Sequence, residues 1–215
     1  MASRSTAAPN KRLPLHRPAP QPTRANLTWL TDTLATGGDF EYDPVLAAEQ
    51  VEDLLAQQVG VIIDCRIEAD DGDIWAQYPE IEYHHLPEDD YGGHKMSANH
   101  FAKAVSIARA AHAQGKKVLA HCHMGINRGP STAFAILLDR GFSAAEAFDL
   151  IRAKRPISAV YYAEDALVAH LNRQGVDPAP ELAKFRAHHD QVFTPTEIAQ
   201  IAHTIRQTHQ ARGDL

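Results

Sequence analysis

Thiols are scarce in this chain: of 215 residues only Cys65 and Cys122 are cysteines. A disulfide framework is therefore excluded as the organising device, and a reducing cytoplasm is the expected compartment. No apolar run approaches the roughly 18 residues of a membrane span. The first residues hold no apolar segment of signal-peptide type, so neither a membrane partner nor secretion is expected. Internal repeats and zinc-type cysteine–histidine spacings are missing too. EADDGD (68–73) starts like a calcium loop but lacks the bidentate glutamate such a loop needs at its end. His84 and His85, neighbours on an expected strand, point to opposite faces. No metal and no cofactor are expected. Positive charge is short as well. The chain carries −6 overall, and residues 1–25 supply +5 with no acid, which leaves −11 on the rest. Such an acidic body excludes a general nucleic-acid or anionic-membrane surface, so any phosphate recognition must be local.

What is present is a regular alternation of short apolar runs and helical patterns, enough for one domain of about 150 residues with appendages. Residues 1–25, with five prolines and no apolar periodicity, read as a disordered basic arm. LTWLTDTLATGG reads as an opening strand or hairpin. DPVLAAEQVEDLLAQQ reads as a helix with Asp43 as cap, Pro44 in the first turn and Gly60 just past its end. VIID (61–64), IEYHHL (81–86) and VLAH (118–121) read as strands, and Ser97 caps a helix between the last two. PSTAFAILLDR (130–140) is an apolar helix stopped by Gly141. A helix capped by Ser143 and closed before Pro156 follows, then another through Leu171. The pattern predicts an α/β fold: a compact, mostly parallel central sheet flanked by helices, spanning 26–175, with a helical C-terminal extension over 176–215. In that extension TPTEIAQIAHTIRQTHQAR has a cap, a first-turn proline and a capping-box glutamate. A ligand is expected beyond the carboxyl ends of the strands, for instance at the end of VLAH.

That end continues as CHMGINR and then the apolar helix. A helix N-terminus aims unsatisfied N–H groups and partial positive charge back into such a loop. Gly125 permits the positive φ that lets successive N–H groups converge. Arg128 adds a two-pronged grip on phosphate oxygens. Cys122 begins this nest, so the donors that bind an oxyanion also favour its thiolate, a nucleophile for phosphoryl transfer. Strand, His121, Cys122, five residues, Arg128 and helix together resemble the signature of the cysteine-dependent protein tyrosine and dual-specificity phosphatases. The resemblance runs over about residues 27–173 and includes the Arg155-Pro156 boundary.

The resemblance implies a phosphocysteine mechanism. Cys122 would attack phosphorus, with His123, Met124, Gly125, Ile126, Asn127 and Arg128 forming the phosphate-binding loop. An upstream aspartate would act as general acid and then as base. In LPEDDYGG, Asp90 is the preferred residue and Asp89 the alternative, and Gly92 and Gly93 are expected to let the segment close. His121 would orient the loop and help keep the thiol ionised, and Cys65 is a candidate for a reversible disulfide with Cys122. The short domain resembles the dual-specificity kind, and the lack of lysines inside the loop makes polyanionic lipid headgroups a poorer substrate. The implied partner is a phosphorylated protein or a small phosphate ester; oligomeric state is not readable. One departure stands out. The family has Ser or Thr after the arginine, where this chain has Gly129, with Ser131 as the nearest hydroxyl. A phosphate-binding protein with little turnover is therefore the alternative, or a phosphatase of small-molecule or nucleic-acid phosphate esters.

Overall fold

The computed structural model describes residues 25–192 apart from 42, 92 and 93. The proline-rich arm up to residue 24, the glycine pair 92–93 and the expected helix over 194–212 lie outside the described residues.

The opening stretch is a hairpin, β1 (Leu27–Thr31) and β2 (Leu34–Gly37). Thr31 Oγ1 sets its turn by accepting the N–H groups of Thr33 and Leu34 at 3.3 and 3.1 Å. In α1 (Pro44–Ala56) Asp43 caps Val45 and Leu46, as its sequence predicts. The expected stop at Gly60 is displaced. The helix ends at Ala56, Gln58 takes the left-handed turn with φ of 63°, and Gly60 lies inside β3 (Val59–Arg66). The reason is that the apolar run VIID is only the buried middle of a strand that pairs from Val59 onward with Lys117.

The short α2 (Gly72–Trp75) leads to β4 (Glu82–Glu88). The helix α3 (Ala98–Ala113) is capped by Ser97 on the His100 N–H and leads to β5 (Lys117–His121). Helix α4 (Arg128–Asp139) begins two residues before the predicted Pro130, so Arg128 and Gly129 belong to its first turn. Ser143 and Glu146 form a reciprocal capping box on α5 (Ala144–Lys154), and α6 (Ala163–Arg173) and α7 (Ala179–Val192) follow.

The strands form one sheet in the order β1-β2-β5-β3-β4. Only the β1–β2 pair is antiparallel. The mostly parallel sheet read from the sequence is therefore present, with side chains alternating between two apolar layers. Val61, Ile63, Val118 and Ala120 face α3–α6, with Phe101, Phe134 and Phe148. Ile62, Leu119 and Ala35 face α1 and α2, with Leu54 and Trp75. Burying each large side chain contributes about 1.5–3 kcal/mol. Helix α7 joins the first layer: Phe185 is buried with its ring 5.7 Å from those of Phe134 and Phe148. No helix among the described residues is long and apolar enough to cross a membrane. Strand β5 sits mid-sheet between parallel neighbours, so its carboxyl end opens where the chain leaves for the loop.

Candidate active site

Cys122 follows directly on β5 and is buried; its N–H donates to Gly37 O at 3.3 Å. The loop after it is shaped from behind. Arg155 reaches under it from the end of α5, donating from Nε to Gly125 O at 2.7 Å and from Nη2 to Met124 O at 3.3 Å. Ile126 O accepts the N–H groups of Ala159 and Val160 at 2.8 and 3.3 Å. Carbonyl and N–H point in opposite directions in a trans peptide. Three carbonyls drawn backward therefore turn the N–H groups of Gly125, Ile126 and Asn127 toward the loop's centre. Gly125 makes this possible, with φ of +66° and no room for a Cβ, which would stand 2.5 Å from the Gly37 carbonyl carbon. The first turn of α4 closes the ring. Loop N–H groups turned this way are what an anion nest requires.

Arg155 is missed by a reading of spacing alone. Its four acceptors are neutral: Gly125 O, Met124 O, Thr28 Oγ1 and Asn26 Oδ1. Burial pushes this guanidinium down to about 10, and a Cys122 thiolate favours its charged form. A buried cation held by neutral groups leaves its field available to an anion above the loop. The sequence signal was the arginine before Pro156, legible only as a helix boundary.

Arg128 is buried in the first turn of α4, and its guanidinium is oriented by Glu68 in a bidentate pair, with 2.7 Å from Nη1 to Oε2 and 2.6 Å from Nη2 to Oε1. Nη1 also donates to Glu88 O at 3.1 Å. The hydrogen bonds from Arg128 hold the Glu68 carboxyl down at about 2. Glu68 belongs to EADDGD, which resembled a broken calcium loop. Its acids serve arginines and turns instead: Glu68 holds Arg128, Asp71 holds Arg66, and Asp70 accepts Gly72 N–H.

Asp90 comes over the loop. Its Oδ1 accepts Asn127 Nδ2 at 3.0 Å and Tyr162 Oη at 2.8 Å, while Oδ2 lies 3.4 Å from Arg128 Nε. Asp89 instead accepts the Asp90 N–H at 3.3 Å. Asn127 is tied back by the Tyr161 N–H, and Ser131 Oγ accepts the Tyr162 N–H at 3.2 Å. Ser131, the nearest hydroxyl after Gly129, thus also anchors the chain entering α6, and Tyr161 and Tyr162 become part of the site. Gly129 has a packing reason: a Cβ there would stand 3.0 Å from Ala120 O and from His121 Cα. The helix starts against the strand backbone.

His121 and His123 point into a second network. Arg66 is gripped by Asp64, and its Nη1 and Nη2 reach Asp39 and Asp71, both at 2.5 Å. His121 is fully buried with Nε2 3.6 Å from Asp64 Oδ1 and its ring edge-on to Phe40. Burial pushes His121 down despite Asp64, which favours a neutral imidazole, and the cations that interact with Cys122 are Arg128 and Arg155. His123 is half-exposed, with Nδ1 3.3 Å from Asp39 Oδ2. Cys65 and Cys122 are free thiols, and Cys65 Sγ lies 3.3 Å from Thr132 Oγ1. Burial pushes the Cys65 thiol up. Thr132 also meets His100 Nε2 at 2.8 Å, and burial drives His100 down to about 4.

This geometry has relatives. The model of the family described as dual specificity phosphatase, catalytic domain, matches residues 46–163. Dual specificity protein phosphatase 5 from Homo sapiens is 34% identical over 76 residues, 35% of this chain and 20% of that protein. Its Rattus norvegicus counterpart is 31% identical over 78 residues, 36% of this chain and 20% of that protein. The chain thus matches about a fifth of the length of these curated relatives. Among solved structures, the active form of Tk-PTP has a TM-score of 0.57 at 22% identity, covering 69% of this chain and 97% of that one. A variant of human DUSP28 gives 0.58 at 21%, covering 69% and 97%. PTPMT1 in complex with PI(5)P gives 0.58 at 17%, covering 69% and 99%. At these identities the solved structures establish the fold, and the family model spans more than half of the chain, including the strand, Cys122, the nest, Arg128 and Asp90. The chain belongs to the family of cysteine-dependent dual-specificity phosphatase catalytic domains.

Proposed function

We propose that the protein hydrolyses phosphomonoesters through a phosphocysteine intermediate, on phosphotyrosine, phosphoserine or phosphothreonine of proteins. The observation that carries this reading is that Arg155 draws back the carbonyls of the loop begun by Cys122 while Asp90 bonds Asn127 of that loop and meets Arg128. The Cys122 thiolate attacks phosphorus in line. The nest and Arg128 hold the equatorial oxygens where charge accumulates. Asp90 gives its proton to the leaving oxygen, then takes one from the water that breaks the sulfur–phosphorus bond. Tyr162 and Asn127 both donate to Asp90 Oδ1, which fixes the carboxyl at the loop. Gly129 contributes no hydroxyl to the departing sulfur, so breakdown of the intermediate is the slower half of the cycle.

A second reading, a phosphate-binding protein with little turnover, is favoured by Gly129 alone. PTPMT1 was solved with a phosphoinositide, and a lipid phosphate is the rival substrate class.

Para-nitrophenyl phosphate hydrolysis tests the mechanism. Cys122→Ser is expected to abolish it, and Asp90→Asn to lower kcat by about 10²-fold or more. Asp89→Asn is expected to have little effect. Tyr162→Phe should slow phenyl phosphate more than the nitrophenyl ester, whose better leaving group needs less proton transfer. Rapid mixing should show a burst of nitrophenol close to one per Cys122. Hydrolysis surviving Cys122→Ser refutes the mechanism, and no hydrolysis by the wild type favours the binding protein.

A further inference from the structure

A cleft of about 690 Å³ opens beside the catalytic loop, and Asp90 and Asn127 line it where the two meet. The group bonded to the oxygen that Asp90 protonates therefore adjoins this cleft. Tyr91 and Tyr161 also line it, and each is 62% exposed. Large rings this open to solvent around a concavity mark a binding surface. From Tyr91 an aromatic wall continues inward. Its ring centroid stands 5.2 Å from that of His94, which stands edge-on to Tyr162 at 5.9 Å. Tyr162 in turn carries its hydroxyl to Asp90.

The segment that carries Tyr161 is held by its backbone. The N–H groups of Ala159 and Val160 bond Ile126 O, that of Tyr161 bonds Asn127 Oδ1 at 2.9 Å, and that of Tyr162 bonds Ser131 Oγ. Four successive residues are thus tied to the loop and to α4. Among them Val160 has φ of +49°, in the left-handed region that a β-branched residue rarely occupies. Such a conformation persists only where its surroundings impose it, and it clusters at ligand sites. It comes directly before Tyr161, whose backbone is fixed while its ring stays open to solvent. Charged groups around the cleft are engaged with one another: Glu164 pairs with Arg186, His94 bonds Glu88, and Lys95 interacts with both Glu164 and Asp165. The rings are then the selective feature. A flat ring attached to the phosphate oxygen can make offset or edge contacts with them that a short alkyl stem cannot.

We propose that Tyr91 and Tyr161 are specificity residues that pack against an aryl leaving group, so that the protein selects phosphotyrosine over phosphothreonine and phosphoserine. The proposal rests on the phosphatase reading and narrows its substrate class. Phenols leave more readily than alcohols, so binding rather than rate is the test. Full-length Cys122→Ser is titrated by fluorescence anisotropy with two labelled peptides that differ only in carrying phosphotyrosine or phosphothreonine. The phosphotyrosine peptide is expected to bind about tenfold more tightly. In that background Tyr161→Ala, which keeps the backbone N–H on Asn127, and Tyr91→Ala should each weaken the phosphotyrosine peptide several-fold. Both should leave the phosphothreonine peptide as it was. Tyr161→Phe should retain the preference, because the ring and not the hydroxyl is used. Equal affinity for the two peptides overturns the proposal, and so do alanine variants that keep the gap or weaken both peptides alike. Tighter binding of a short-chain phosphatidylinositol phosphate than of the phosphotyrosine peptide also overturns it. If the wild type hydrolyses no nitrophenyl phosphate while the affinity order stands, the phosphatase reading fails and the ring subsite is kept. Hydrolysis by the wild type with equal affinities leaves that reading intact and sinks the subsite.

Discussion

Gly129 shows how one missing side chain joins packing to chemistry. The family's hydroxyl at this place stands on a Cβ, and here a Cβ would lie 3.0 Å from the Ala120 carbonyl. Gly129→Ala isolates the cost of that atom. It is expected to lower stability by about 1–3 kcal/mol, read from urea denaturation, because overpacking strains the strand backbone. Gly129→Ser adds the hydroxyl at the same steric cost. Its nitrophenol burst is expected to shrink relative to steady turnover, since sulfur departs faster. A stable Gly129→Ala protein would show that the first turn of α4 has slack. The residue scale is also where the sequence said most and least. Cys122, Arg128 and Asp90 could be proposed from the sequence because their spacing follows from one loop and one strand end. Glu68, Arg155 and Tyr162 could not, because each reaches the site from a distant segment and its role depends on where the chain returns. Their types were plain in the sequence; their partners were not.

At the scale of elements, α3 and α4 meet through a buried polar contact. His100, near the start of α3, bonds Thr132 of α4, and burial holds its ring down at about 4. In the unfolded chain a histidine titrates near 6.5. Between about 6.5 and 4 the unfolded state therefore binds the proton and the folded state does not, so stability falls as pH drops through that window. The buried His121 acts in the same direction. The denaturation midpoint is expected to fall between pH 7 and pH 5, and His100→Gln should flatten that dependence. A midpoint equally steep in the variant would assign the effect elsewhere. Helix starts were read well wherever a cap lies beside them, as at Asp43, Ser97 and Ser143. The start of α4 was read two residues late, because Pro130 looked like a first turn and the nest hides the true beginning at Arg128.

For the whole molecule, the alternation of apolar runs was enough to predict a parallel sheet, while strand order was not legible, since it depends on crossovers that leave no local mark. Nor did the pattern say that Phe185 of α7 enters the main core between Phe134 and Phe148. Phe185→Ala is expected to lower global stability by about 3–5 kcal/mol. A single cooperative transition at a lower denaturant concentration would make α7 part of the folding unit; an unchanged midpoint would make it an accessory.

Arg155 gives the molecule a property of another kind. It bonds Thr28 and Asn26 across sequence separations of 127 and 129 residues, and the same guanidinium holds the loop carbonyls. Contacts this far apart in sequence cost the most chain entropy to close. A chain folded only through α4 has Cys122 and Arg128 but lacks Arg155 to draw the loop carbonyls back. The shape of the loop thus depends on two stretches of chain, near residues 26–28 and at residue 155, having met.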